Sequence, residues 1–165
     1  MLDCLPETVE PVGLADAGRS FRGEIAVGAF ERLRPLLADT GGVLKVGLVF
    51  RVDERRVRVL EGSIDGEIRL VCQRCLQALA YPLHVQFRLG IVGQEANIDL
   101  LPDGYEPLPV SGEPLPMIDV IEDEVLLVIP VAPMHAGDAV CDSGYRNRPL
   151  PEKENPFSIL EKLKT

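Results

Sequence analysis

Leu44, Val46, Leu48, Phe50 and Val52 alternate with Lys45, Gly47, Val49 and Arg51. An alternation of period two sends one set of side chains to each face of an extended chain, so it predicts a half-buried β-strand. Asp53-Glu54-Arg55-Arg56 turns the chain, after which Val57 and Val59 alternate with Arg56, Arg58 and Leu60 as a second strand. Residues 62–66, which begin and end with glycine, turn it again, and Ile68, Leu70 and Cys72 alternate with Glu67, Arg69 and Val71 in a third. Three short strands joined by tight turns make an antiparallel meander. A fourth strand follows a pair of cysteines, where Leu83, Val85, Phe87 and Leu89 alternate with His84, Gln86 and Arg88.

Elsewhere the spacing is helical. Ala29, Phe30, Leu33, Leu36 and Leu37 predict a helix over 27–38, with Pro35 inside it to kink or split it. Ile118, Ile121, Val125, Val128 and Ile129 share one helical face opposite Asp119, Glu122 and Asp123, bounded by Pro116 and Pro130. The acids of that helix crowd its first half, where they complement the helix dipole. Phe21–Ile25 reads as a short strand, residues 1–20 show little periodicity, and 92–116 read as a long connection with one short strand near Tyr105–Val110. At the C-terminal end Asn155 is a good N-cap, Pro156 suits the first helical position, and Lys162 and Lys164 sit where the dipole favours cations. So short a helix is marginal alone and needs a surface to dock on, in this chain or on a partner. Asn155, Phe157, Ile159, Leu160 and Leu163 are its candidate docking residues. The expected architecture is α+β: a small antiparallel β-meander sheet packed with helices in one domain over 1–141, then a flexible linker and a mobile docking helix in 142–165.

Composition adjusts this picture. Aromatics make up 5% of the chain and Trp is absent, so aliphatic side chains must fill the core. No apolar run approaches the roughly 20 residues of a membrane span. The first residues have neither a basic start nor an apolar signal core, so a cytoplasmic setting is expected. A reducing compartment argues against a disulfide framework for the four Cys and leaves metal binding, redox chemistry or plain buried thiols.

Net charge is −9, which excludes nucleic-acid binding by bulk attraction, and no DNA or membrane partner is expected. The charge is unevenly spread. Lys45, Arg51, Arg56, Arg58 and Arg69 fall in the non-core phase of the meander, so one sheet face should carry a modest basic patch able to contact RNA phosphates. The plainer reading is a solvent face with Arg stems covering apolar surface, because no aromatic residue interleaves for base stacking. From Leu89 to Tyr145, by contrast, there is no Lys or Arg, and this acidic stretch is complementary to a strongly basic protein such as a ribosomal protein.

The sharpest local chemistry is Cys72-Gln73-Arg74-Cys75. Two thiols three positions apart in a turn form half of a tetrahedral zinc site, and His135 and Cys141, in a turn-rich segment past the acidic helix, are the candidates for the other half. One structural zinc on Cys72, Cys75, His135 and Cys141 is therefore expected, with inert thiols as the plainer alternative and redox chemistry as a third. Asp119, Glu122, Asp123 and Glu124 raise the alternative of a magnesium site for phosphodiester cleavage. Carboxylates at a helix start are more often a solvated, dipole-matched face.

The order of these motifs is itself informative. Cys72-Gln73-Arg74-Cys75 follows the meander, Tyr105-Glu106-Pro107-Leu108 sits in the connection, and Ile118-Asp119 leads to Ile121-Glu122-Asp123-Glu124. Ile129-Pro130-Val131-Ala132-Pro133-Met134-His135 and Cys141 come next, and Asn155-Pro156-Phe157-Ser158-Ile159-Leu160 with Leu163-Lys164 closes the series. In order and spacing the chain from about Val43 onward resembles the bacterial YceD family, the large ribosomal RNA subunit accumulation proteins. The resemblance implies a non-enzymatic role in 23S ribosomal RNA accumulation and large-subunit assembly, with precursor 23S rRNA or ribosomal proteins as partners. It supplies no catalytic residues.

Overall fold

The computed structural model describes residues 5–93, 101–136 and 141. In chain order the elements are β1 (Thr8–Val9), α1 (Pro11–Asp16), β2 (Ser20–Ala26), β3 (Val43–Val52), β4 (Arg58–Val71), β5 (Ala78–Val92), β6 (Glu106–Pro109), β7 (Leu115–Pro116) and α2 (Met117–Val128). Strands β2 to β6 form one sheet in sequence order, antiparallel from β2 to β5 and parallel between β5 and β6, while β1 and β7 pair separately. The fold class is α+β, as the alternation implies.

Register assigns the faces. Phe50 pairs with Leu60, Val46 with Ile64, Ile64 with Val85 and Leu60 with Leu89, and all of these are buried. Phe21 joins the same face and meets Phe50 edge-on, ring centroids 6.0 Å apart. Arg58 shares the phase of Leu60 and binds Asp16 of α1, and Tyr81 shares the phase of Leu83 and donates its hydroxyl proton to the Val128 carbonyl of α2. Both helices therefore cover this one face, where Ile121 and Val125 of α2 complete the core.

The expected turn at 62–66 is absent, and the predicted second and third strands are one continuous strand, β4. Its glycines make room instead of turning the chain. Gly62 pairs with Phe87, and a Cβ on Gly62 would stand 1.9 Å from the Phe87 ring; a Cβ on Gly66 would stand 2.7 Å from Leu44. Glycine in a strand interior marks such a close approach. The helix expected over 27–38 is also absent: two short 3-10 turns, Val27–Ala29 and Arg34–Leu36, occupy that stretch. Phe30 and Leu33 still reach the core, but the Leu33 N–H donates to the Glu122 carboxylate at 2.9 Å rather than to its own backbone, and Pro35 has no N–H to give. The short helix α1 falls in the stretch that shows little periodicity. The C-terminal helix expected over Asn155–Lys164 lies outside the described residues.

Replacing Gly62 with Ala should overpack the sheet beneath Phe87 and lower stability by about 1–3 kcal/mol. Urea unfolding should show a lower midpoint at unchanged slope; an unchanged midpoint would mean that the ring moves aside freely.

Candidate metal centre

The hairpin between β4 and β5 closes over Cys72–Gln77. The Cys72 N–H donates to the Gln77 carbonyl and the Leu76 N–H to the Cys72 carbonyl, each at 2.9 Å. This tight path puts Leu76 in the left-handed region, at φ 60°. The segment after α2 is brought to the hairpin by Gln73, whose N–H donates to the Pro133 carbonyl at 2.8 Å. That bond delivers His135 beside Cys75.

The ligand atoms of Cys72, Cys75, His135 and Cys141 all lie within 4.8 Å of one another. Cys72 Sγ stands 3.7 Å from Cys141 Sγ, and Cys75 Sγ stands 3.5 Å from His135 Nδ1. Donors on a tetrahedral zinc, at about 2.1–2.3 Å from the ion, stand roughly 3.5–3.8 Å apart. Sulfurs joined in a disulfide stand about 2 Å apart, so the thiols are spaced as ligands and not as a bridge. His135 Nε2 lies 3.2 Å from the Ala78 carbonyl, which can only accept. The Nε2 proton is thereby fixed, and Nδ1 presents its lone pair toward the sulfurs, as a metal-ligating imidazole must.

The thiols are electrostatically unequal. Burial works against ionising Cys72, yet the backbone N–H groups of Cys75, His135 and Arg74 and the Cys75 thiol together bring it down to about 5. Burial, followed by hydrogen bonding to Cys75 and Cys72, pushes Cys141 up to about 12. Cys72 and Cys141 are both buried. Reactive thiols need exposure, so this geometry suits a closed ligand set better than thiol exchange. Four donors of this softness and spacing fit zinc.

With this geometry in view, the relatives are decisive. A family model described as "Large ribosomal RNA subunit accumulation protein YceD" matches residues 60–164. The chain belongs to the YceD family. It is also 32% identical over 168 residues to the "Large ribosomal RNA subunit accumulation protein YceD" of Haemophilus influenzae, covering 97% of this chain and 96% of that one. No solved structure matches it.

In this YceD protein two of the four acids of α2, Glu122 and Asp123, have their carboxylates held by Arg32. Its guanidinium meets Glu122 at 3.0 Å, Asp123 at 2.5 Å and the Asp119 carbonyl at 3.0 Å. Glu122 is 3% exposed and also accepts the Leu33 N–H, so it is spent on fixing the 3-10 segment. Among the described residues, only the Cys and His group has ligand atoms that converge.

The basic residues scatter. Lys45, Arg51 and Arg69 lie on the sheet face away from the helices, in the phase of Gly47, Glu61 and Asp65. Arg58 lies in the core-face phase beside α1, and Arg56 sits in the β3–β4 turn at φ 62°. Arg51 binds Glu61 with two bonds of 3.0 and 2.6 Å, Arg58 binds Asp16, Arg69 reaches Asp39 at 3.4 Å, and Lys45 lies in register with Glu24 and Asp65.

A second polar centre has no counterpart in the sequence reading. Asp53, buried at the end of β3, accepts the Arg55 and Val57 N–H groups at 2.9 Å, the Tyr105 hydroxyl, and Arg88 at 3.2 Å. Arg88 also stacks over the Tyr105 ring, 4.8 Å from its centroid. The Tyr105 hydrogen bond is the main reason the Asp53 carboxyl is held below its usual range, with burial opposing and the two backbone N–H groups assisting. The turn-forming Asp was legible as a residue that bonds its own following backbone; its tyrosine partner was not.

Leu76→Gly should stabilise the protein by about 1 kcal/mol, because it relieves a left-handed conformation at a side chain that is 73% exposed. Thermal unfolding of metal-loaded protein measures this, and a lower midpoint would contradict it. Asp53 stabilises the fold above its unfolded pKa, and that contribution is lost as pH falls through its lowered folded pKa. Asp53→Asn should therefore flatten the acid limb of a stability-against-pH curve; an unchanged limb would sink the assignment.

Proposed function

We propose that this protein is a cytoplasmic, non-enzymatic factor that supports 23S ribosomal RNA accumulation by holding a component of the assembling large subunit, its own fold braced by one structural zinc. The observation that carries the role is full-length similarity to a relative named for large ribosomal RNA subunit accumulation. The zinc reading rests on the tetrahedral spacing of Cys72, Cys75, His135 and Cys141. A set of four protein donors leaves no open position, which is the arrangement of a structural and not a catalytic site.

Charge favours a basic ribosomal protein as the component held. Arg51, Arg58 and Arg69 already bind carboxylates, so they offer RNA phosphates less than their number suggests. Contact with precursor 23S rRNA through Lys45, Arg51, Arg56, Arg58 and Arg69 is the second reading, because Lys45, Arg51 and Arg69 share one open sheet face. Asn155, Phe157, Ile159, Leu160 and Leu163 are the residues of a docking helix, whose surface lies in this chain or on either partner. A metal-dependent RNA-processing activity would need the carboxylates of α2, and Arg32 engages two of them.

Deleting the gene should lower 23S relative to 16S rRNA. Wild-type protein and Asp123→Ala should both restore the ratio, while Cys72→Ser with Cys75→Ser should restore it poorly. Failure of Asp123→Ala to rescue, with specific cleavage of precursor rRNA by the wild-type protein in magnesium, would establish the enzymatic alternative. Metal analysis of protein purified without chelator should give about one zinc per chain, and a value near zero removes the brace.

A further inference from the structure

Between α2 and β6 runs a groove of about 600 Å³. Leu89 of β5, Val120 and Leu127 of α2, and Pro107 and Pro109 of β6 give it apolar walls. Val120, Glu124 and Leu127 recur at helical spacing, so one face of α2 is turned to it, and Leu127 is 72% exposed there.

One lining residue is out of place in a finished core. Glu124 is only 7% exposed, and among the described residues its carboxylate has no hydrogen-bond donor and no cation. Burial, then Glu106 across the groove, then Asp123 raise its pKa. Its oxygens are not sealed from solvent, so the carboxylate is open to a cation that an occupant brings into the groove. The groove thus calls for an occupant with an apolar face and a cation.

The occupant must enter by its side chains. The Val110 N–H donates to the Val92 carbonyl at 2.8 Å. Strand alternation then turns the Glu106 and Leu108 N–H groups toward β5 and leaves Pro107 and Pro109 at the positions facing the open edge. Proline has no N–H to offer, so an added strand would find no donors on β6. A helix laid in the groove needs none.

No Lys or Arg occurs from Leu89 to Tyr145, so the cation must come from elsewhere. The next part of the chain supplies Arg146, Arg148, Lys153, Lys162 and Lys164. Phe157, Leu160 and Lys164 fall at positions i, i+3 and i+7, so a helix over Asn155–Lys164 carries apolar and cationic groups on one face. We propose that the chain's own Asn155–Lys164 segment docks as an amphipathic helix in the groove between α2 and β6, with a lysine of its last turn paired to Glu124. Residues 142–154, fully extended, span roughly 40 Å. They start from Cys141 in the cluster, which is joined to the end of α2 by residues 129–135, so the groove is within reach. Tethering raises the effective concentration into the millimolar range, enough to seat a helix that is marginal alone.

Hydrogen exchange read by mass spectrometry on the full-length, metal-loaded protein tests this. Amides of 155–164 should exchange at least about ten-fold more slowly than in the isolated peptide. That protection should disappear in Glu124→Lys and in Leu127→Asp, and return when Glu124→Lys is combined with Lys162→Glu and Lys164→Glu. Leu127 is exposed, so its variant should keep its zinc content and unfolding midpoint and separate lost docking from misfolding. Exchange at the peptide rate in the wild type, or protection that survives both groove variants, overturns the proposal. Protection that grows with protein concentration overturns it in favour of a second copy. None of these outcomes depends on the effect of gene deletion on 23S rRNA.

Discussion

Three thiols and an imidazole drawn to one point impose the condition on which the rest of the molecule depends. Like donors at this separation, two of the thiols buried, gain little from one another without a cation between them. Bringing them together nevertheless fixes two distant parts of the chain. The hairpin tip between β4 and β5 is tied to the segment that follows α2, through the Gln73–Pro133 bond and the His135–Ala78 contact. Helix α2 is thereby held at its far end as well as at its start, where Met117 bonds Glu7 beside the β1–β7 pair. A helix held at both ends can present a fixed face to the sheet and a second one to a groove.

Electrostatics follows the same division. Arg32 gathers Glu122, Asp123 and the Asp119 carbonyl and so fixes the 3-10 segment against α2. Asp53 gathers Tyr105, Arg88 and two backbone N–H groups and so fixes the connection before β6 against the end of β3. In both cases a buried carboxylate is made tolerable by complete pairing. Glu124 is not paired in this way, and its oxygens open instead on the groove between α2 and β6.

Local patterns survived folding where one face alone decided them. The alternation in β3, the helix α2 and the short strand within Tyr105–Val110 all appear, because each is a half-buried element whose period is visible in a few residues, although the buried side of α2 takes in Val120 and Glu122 and leaves Val128 exposed. The reading of 62–66 as a turn failed because glycine has two uses, and the choice between them lay with Phe87 and Leu44, residues on other strands. The helix read over 27–38 failed for a related reason. Phe30 and Leu33 are buried as their spacing requires, but Glu122, about ninety positions away, takes the N–H that a helix would have used. The structure brings together the four residues singled out for zinc, since cysteine and histidine advertise their chemistry. The Asp53–Tyr105 pair does not, because aspartate in a turn and tyrosine in a loop are ordinary until they meet.

These assignments bear on what kind of protein this is. A nuclease or a redox enzyme needs a reactive group that is exposed and incompletely satisfied. Here the carboxylates Glu122 and Asp123 are committed to Arg32, Cys72 and Cys141 are buried within a four-donor set, and the cations Arg51, Arg58 and Arg69 each meet an acid. Of the groups that the sequence offers for catalysis, Glu122, Asp123, Cys72 and Cys141 are taken up in holding the fold. What these groups leave open to a partner is the groove between α2 and β6, with its exposed Leu127, on a chain whose net charge of −9 steers toward basic surfaces.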